Sequence, residues 1–151
     1  VVDFRYPRLV EHAGRGEPQA FRAVLGQARR RLLSMTVPLV LGALLVTELL
    51  VPALDKPVFT DNRHLMYWLL LANSLQALCL IPHLALYGMR RDAPIMQSQL
   101  AGLAVFCFGA WLLRPLGAVA VPLALCLAWT LIFAWKSMAC RQALATFTTS
   151  S

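Results

Sequence analysis

Residues 116–135, LGAVAVPLALCLAWTLIFAW, carry no charged side chain. An α-helix of about 20 residues, rising about 1.5 Å per residue, crosses the ~30 Å hydrocarbon core of a bilayer. Three further stretches of comparable length and character precede it, at residues 35–54, 65–89 and 95–113. A soluble domain would show shorter segments with a charged face on each. The sequence therefore predicts an all-α, polytopic membrane helical bundle with four transmembrane helices.

The composition of the 151 residues agrees with a membrane protein. Hydrophobic residues make up 59% of the chain and charged residues 14%, against about 25% charged residues in average globular proteins. In a soluble protein the net charge of +7 would suggest a nucleic-acid partner. Here the basic residues cluster outside the apolar stretches, so they indicate membrane topology. The expected partner is the lipid bilayer, with no nucleic acid.

Cysteine and histidine do not form the patterns that mark metal or catalytic sites. Neither a CxxC pair nor a cysteine–histidine pair at metal-ligand spacing occurs, and we expect no metal and no cofactor. No catalytic triad, phosphate loop or pair of carboxylates is visible either, so the chain is not expected to be an enzyme. The cysteines are interpreted as small apolar packing residues: Cys79, Cys107, Cys126 and Cys140.

Three regions are predicted along the chain. Residues 1–34 form a cytoplasmic loop and a basic amphipathic helix, residues 35–136 form the four-span bundle, and residues 137–151 form a loosely ordered cytoplasmic tail. The amphipathic helix begins near Pro18, since proline suits the first helical position. We expect it to lie at the membrane surface, or alternatively to dock a partner. One face of it is apolar, with Phe21, Val24, Leu25, Ala28 and Leu32.

Basic residues predict the orientation of the bundle. They favour the cytoplasmic side when they lie near the ends of spans, and Arg29, Arg30 and Arg31 directly precede the first span. With residues 1–34 inside, eleven of the fourteen basic residues are cytoplasmic, Lys136 among them, and three are outside: Lys56, Arg63 and Arg114. Both ends of the chain are therefore expected in the cytoplasm of a multi-pass protein. Because the chain begins Val-Val-Asp, we also expect it to be either a C-terminal piece or a processed form of a longer protein.

Small residues predict where helices approach closely. Ala120, Ala124 and Ala128 recur every four residues in the fourth span, and Gly102 and Gly109 lie seven apart in the third. Small side chains let helix backbones pack tightly in lipid. The loops between spans are short, so we expect sequential helices to be antiparallel neighbours.

Glu48 is the one acidic residue within the spans. A charged side chain at the centre of a helix costs about 2.5–3.5 kcal/mol on insertion scales, so Glu48 is expected to avoid lipid. Three interpretations are open: a neutral acid bonded to a neighbouring helix, a site for a coupling proton or cation, and a side chain that snorkels to the surface.

The second span carries a polar stripe formed by Asn73, Gln76, His83 and Tyr87. With Leu80 between them, the residues are spaced 3, 4, 3 and 4, which places them within an arc of roughly 80°. Facing lipid would leave several hydrogen-bonding groups unmatched. The stripe therefore either bonds to neighbouring helices or lines a substrate cavity, where amides suit the hydroxyl groups of a sugar and a protonated His83 suits a phosphate.

Several segments together resemble a known family. They are PRL-x-x-x-x-G-x-GEPQAF from Pro7, RRRLLSMTVPLVLGALLVTELLVPAL from Arg29, LALYGMRRDAP from Leu84, and WLLRPLGAVAVPLAL from Trp111. This order resembles the C-terminal lobe of the polysaccharide flippases, which translocate O-antigen and other lipid-linked oligosaccharides. They belong to the multidrug/oligosaccharidyl-lipid/polysaccharide exporter superfamily. The turn from Pro115 to Ala120 is similar to the small-residue turn that precedes the last helix of a lobe in that family.

The resemblance implies a function for the chain. It would supply the last four helices of a two-lobed transporter in the bacterial inner membrane, partnered by a missing N-terminal lobe. The transporter would flip a lipid-linked saccharide by alternating access, in the service of polysaccharide or lipopolysaccharide synthesis. Two alternatives stay open: a drug/cation antiporter of the same superfamily, which would depend on a carboxylate within the membrane, and a membrane assembly or anchor module that transports nothing.

Overall fold

The part of the chain that the structure describes folds into four long α-helices. A computed structural model describes residues 18–53 and 62–149. Helix α1 spans Pro18–Ala53, α2 spans Arg63–Gly88, α3 spans Asp92–Leu112 and α4 spans Ala120–Thr149, with a 3₁₀ segment over Arg114–Val119 between α3 and α4. Each helix is long and apolar enough to cross a membrane, and the described residues form no strand. The predicted all-α bundle with four spans is confirmed.

Helix α4 is the centre of the bundle. It packs along the length of both α2 and α3, whereas α1 contacts mainly α2. Helices α2 and α3 contact each other much less than each contacts α4, although a turn of only three residues joins them. The short loop therefore makes α2 and α3 antiparallel, as expected. The main packing partner of each, however, is α4 and not the other helix of the pair.

The small residues do mark the close approach between α3 and α4. Ala120, Ala124 and Ala128 are all buried. A Cβ placed on Gly102 would lie 2.6 Å from Cγ1 of Ile132, and one on Gly109 would lie 3.5 Å from Cβ of Ala124. The backbones can approach this closely because the side chains between them are missing or minimal.

Helix α1 differs from the expected interfacial helix followed by a separate span. Residues 18–34 and the first span form one continuous helix, although Pro38 lies within it and removes one backbone hydrogen bond. Phe21 is fully buried in a cluster with Ala85, Leu86, Cys140 and Ala143, and Val24 and Leu25 pack against that cluster. The predicted apolar face thus packs on the protein because the ends of α2 and α4 offer it an apolar surface.

One end of the bundle carries most of the arginines, and we call it the basic end. Helices α1 and α3 begin there, and α2 and α4 end there; its arginines include Arg22, Arg29, Arg30, Arg31, Arg90, Arg91 and Arg141. Helix α4 continues through residue 149, so the predicted loose tail is helical up to that point. Residues 1–17 lie outside the described residues, and so does most of the first outer loop, which is predicted at residues 55–64.

The two described turns have unusual backbone conformations. At the basic end Arg90 has a φ of 55°, a left-handed conformation that is uncommon for residues other than glycine. At the opposite end Gly117 has a φ of 62° and a ψ of −134°, which L-residues with a Cβ rarely adopt. The small-residue turn predicted before the fourth span therefore requires its glycine.

Candidate functional site

The polar stripe of α2 lies on the surface of the bundle. Asn73, Gln76 and Tyr87 are exposed and His83 is half-buried; we call these four residues the polar face of α2. Within the described part of the chain, Asn73 and Gln76 form no hydrogen bond to a neighbouring helix. The polar face therefore points away from the packed interior, toward whatever adjoins this chain. Its role as a cavity lining stays a prediction.

His83 connects the polar face with the interior. Its Nδ1 lies 3.4 Å from Nζ of Lys136 on α4. On the other side its ring is parallel to that of Tyr87, with an interplanar angle of 4° and 6.4 Å between the ring centroids. The imidazole thus bridges an exposed phenol ring and a buried amine, one turn before α2 ends.

Lys136 is the residue that the sequence analysis missed. The charge pattern predicts that it is a cytoplasmic charge following the fourth span, yet its exposure is 2%. It continues a series of buried residues spaced by four along α4: Ala120, Ala124, Ala128, Ile132, Lys136 and Cys140. Each step of four residues turns by about 40° around the helix, so the series passes from the side that meets α3, at Ala124 and Ile132, to the side that meets α2, where Lys136 contacts His83.

Burial makes Lys136 the most unusual charged residue of the described chain. An ammonium group can donate three hydrogen bonds. Among the described residues, the Lys136 amine has a single hydrogen-bond partner, the Nδ1 atom of His83. No ion pair joins Lys136 to a described carboxylate. Ionisable residues within transmembrane helices are costly and frequently mark ion or substrate pathways.

The thiols agree in part with their predicted packing role. Cys79, Cys126 and Cys140 are buried, whereas Cys107 is exposed. Cys79 donates to the carbonyl oxygen of Trp129 at 3.4 Å, and Cys126 donates to that of Trp68 at 3.6 Å. Both contacts join α2 to α4. The described residues contain no group of three metal-ligating side chains.

Glu48 lies at the opposite end of the bundle and is exposed. One carboxylate oxygen is 3.2 Å from an Nη of Arg63, with both side chains about half exposed at 50% and 45%. The other oxygen accepts a hydrogen bond from the hydroxyl of Tyr67. Glu48 therefore fastens α1 to the start of α2. This contact agrees with the first interpretation in that Glu48 bonds to a neighbouring helix, but it differs in that one partner, Arg63, is charged. A coupling role for Glu48 stays a prediction.

The site as a whole is an amide-bearing surface with a histidine leading inward to a lysine. The amides both donate and accept hydrogen bonds, and the histidine can carry a proton between its two ring nitrogens. This arrangement can bind polar groups and move protons. The four site residues on α2 share a face, as predicted, whereas Glu48 lies on α1 at the opposite end of the bundle and belongs to a separate contact with the start of α2.

No family model matches the chain, and no curated protein and no solved structure is significantly similar to it. These comparisons therefore add no support to the resemblance to flippases. What the four helices themselves indicate is a multi-pass membrane protein.

Proposed function

We propose that this chain is part of a transporter that flips a lipid-linked saccharide across the bacterial inner membrane by alternating access. The observation that carries the proposal is the exposed polar face on α2, a helix long and apolar enough to span the bilayer. The resemblance of the sequence to the C-terminal lobe of the flippases supplies the substrate class. A second lobe from the same protein would complete the pathway.

Solvation is the physical argument for a cavity. Burial of an amide in hydrocarbon without a hydrogen-bond partner costs about 4–8 kcal/mol relative to water on the cyclohexane scale. Asn73 and Gln76 have no partner within the described bundle, so lipid is an unfavourable neighbour for that face. In transporters, polar residues within spans typically face a water-filled cavity or the bundle interior. Amides in such a cavity suit the hydroxyl groups of a saccharide.

The same proposal places the basic end in the cytoplasm, with both ends of the chain inside. Its support is the excess of arginine at that end, because basic residues favour the cytoplasmic side of short loops. Reporter fusions at Asp61 and Arg91 test this orientation. A periplasm-dependent reporter is expected to be active at Asp61 and silent at Arg91, and the reverse pattern would refute the orientation.

Cysteine scanning tests the cavity directly. Single cysteines at Asn73 and Gln76, in the whole protein without its native cysteines, are expected to react quickly with water-soluble thiol reagents. Leu71 is a matched control because it is 46% exposed in this chain but lies on another side of α2. A cysteine there should face lipid and react far more slowly. The ratio of the two labelling rates thus reports whether each position adjoins water or lipid, because the side chains at both positions are exposed on the surface of this chain.

The outcomes separate the candidate functions. Fast labelling at positions 73 and 76 that a lipid-linked saccharide slows would support the flippase. Fast labelling slowed by cationic drugs instead would favour the antiporter. Equal protection at positions 71, 73 and 76 would show that water does not reach the polar face. That result would refute the cavity and would leave an assembly or anchor module as the remaining candidate.

A further inference from the structure

We propose that Lys136 is a buried proton-binding site, loaded and unloaded through His83 from the polar face of α2, and that its charge opens the basic end of the bundle. The inference goes beyond the transported substrate and concerns how the helices are driven. It rests on the proposed function in one respect, namely that water reaches the polar face.

Geometry supports the route of the proton. His83 Nδ1 faces Lys136 Nζ at 3.4 Å, while the ring itself is only half-buried and lies parallel to the exposed Tyr87. Its Nε2 forms no hydrogen bond with described residues and is not enclosed. One ring nitrogen therefore meets the interior and the other meets the surface, as a proton carrier requires.

The transfer conserves protons at each step. In loading, water gives a proton to Nε2 of neutral His83, and the imidazolium passes its Nδ1 proton to the lone pair of the Lys136 amine. The lysine becomes an ammonium, and the histidine is left neutral with its proton on Nε2. Unloading runs the same steps backwards, so that Lys136 returns a proton to Nδ1 and Nε2 releases one to water.

The surroundings of Lys136 explain why its charge would act on the packing. The titratable side chains near it on α2 are His83 and Cys79, and on α4 Cys140 lies one turn away. The α1 residues that pack at this end are apolar. Asp92, exposed at the start of α3, is the one described carboxylate at this end. A buried ammonium without a counter-charge is strongly unfavourable, so protonation favours states in which water reaches it.

Helix α2 has a structural weak point at this position. Pro82 is buried directly before His83, and it removes one backbone hydrogen bond and favours a kink. The last part of α2, from His83 to Gly88, carries Ala85 and Leu86, which close the cluster around Phe21. Bending at Pro82 would separate this segment from α4 and admit water to Lys136 and Cys140.

Native cysteines can report the opening. Cys140 is buried one turn beyond Lys136, and Cys126 is buried nearer the opposite end. The whole protein, carrying Cys107→Ser, would be treated with 4,4′-dithiodipyridine at several pH values, and the labelling rates of the two cysteines measured by mass spectrometry. Because the reactivity of both thiols changes with pH, the ratio of the two labelling rates offsets much of that shared dependence.

The expected result is a rise in the Cys140 to Cys126 ratio as the pH falls, by at most about tenfold per pH unit, as for opening linked to one proton. Lys136→Met should hold the ratio low at every pH. Lys136→Arg, which stays charged, should hold it high. A Lys136→Met variant with the wild-type pH profile would refute the proton site, and a low ratio in Lys136→Arg at every pH would refute the opening.

His83→Gln tests the route separately. Glutamine can accept a hydrogen bond from Lys136 but cannot relay a proton, so the ratio should respond to a pH jump much more slowly than in the wild type. An unchanged response rate would refute the relay through His83. None of these readouts involves a saccharide. Failure here with rapid labelling at positions 73 and 76 would leave the proposed transporter standing. A pH-dependent ratio with slow labelling at positions 73 and 76 would reject both the transporter and the proton route through the polar face, and would leave only Lys136 as the proton-binding site.

Discussion

Helices α1 and α4 are both long and strongly apolar, yet α1 lies at the periphery of the bundle and α4 at its centre. In the most apolar 18 residues of each span, 6% of the α1 residues are buried within the chain, against 33% for α4. Helix α4 packs along two neighbours, whereas α1 contacts α2 along part of its length and α4 only near the basic end. Apolar character therefore identifies a membrane span without identifying the helix at the centre.

The difference lies in the spacing of small side chains. On α4 they recur every four residues and meet glycines of α3. On α1, Gly26 and Gly42 have no atom of another helix within 4 Å of where a Cβ would lie. Small residues assist association only where they share a face that meets another helix. Three substitutions test this contrast.

Phe21→Ala should have the largest effect, because it removes the main buried contact of α1. Phe21 is fully buried in the cluster at the basic end, and replacing a buried phenylalanine by alanine typically costs about 3–5 kcal/mol. We expect a loss of this order in the free energy of unfolding, measured by denaturant titration in detergent micelles. Leu39→Ala is the control, since Leu39 is 71% exposed, and it should change little. Equal losses in the two variants would mean that α1 has no specific attachment there.

Gly102→Val should have an intermediate effect by overpacking the interface of α3 and α4. The new side chain would collide with Ile132, and overpacking of this kind costs about 1–3 kcal/mol. The control is Gly42→Val, a change of the same chemistry at a position with open space around it. Unfolding of both variants in micelles would be compared. If Gly102→Val is as stable as Gly42→Val, the close approach of α3 and α4 is not required for stability.

Glu48→Gln should have the smallest effect on stability. Its ion pair with Arg63 is about half exposed on both sides, and exposed pairs contribute about 0.2–1 kcal/mol. A double-mutant cycle with Arg63→Gln would isolate the pairwise energy. Transport by Glu48→Gln, followed as a function of pH, adds a functional test. Unchanged transport and pH dependence would exclude a coupling role and leave Glu48 as a fastening between α1 and α2.

The sequence was sufficient for the number and the approximate bounds of the spans, because hydrocarbon thickness fixes the length of an apolar helix. It also identified the face on which Ala120 and Ala124 pack. It did not show that residues 18–34 continue into the first span, since the surface that receives Phe21 is assembled from the distant ends of α2 and α4.

The candidate site was predictable on α2 and not across to α4. Asn73 to Tyr87 follow a helical period that can be recognised within one segment. The charge pattern predicts a cytoplasmic Lys136, because charge near the end of a span usually belongs to the membrane surface. Its partner, His83, lies 53 residues away in the chain, and no local pattern joins residues at that separation.

The continuity of α1 has a mechanical consequence. Its 36 residues extend for about 54 Å at 1.5 Å per residue, some 24 Å more than the hydrocarbon core of a typical bilayer. A continuous helix of this length can act as a lever, and a 10° change of tilt about the membrane boundary displaces the end of a 24 Å overhang by about 4 Å. Rearrangement of the spans would thereby move the arginines at the start of α1 relative to the lipid headgroups.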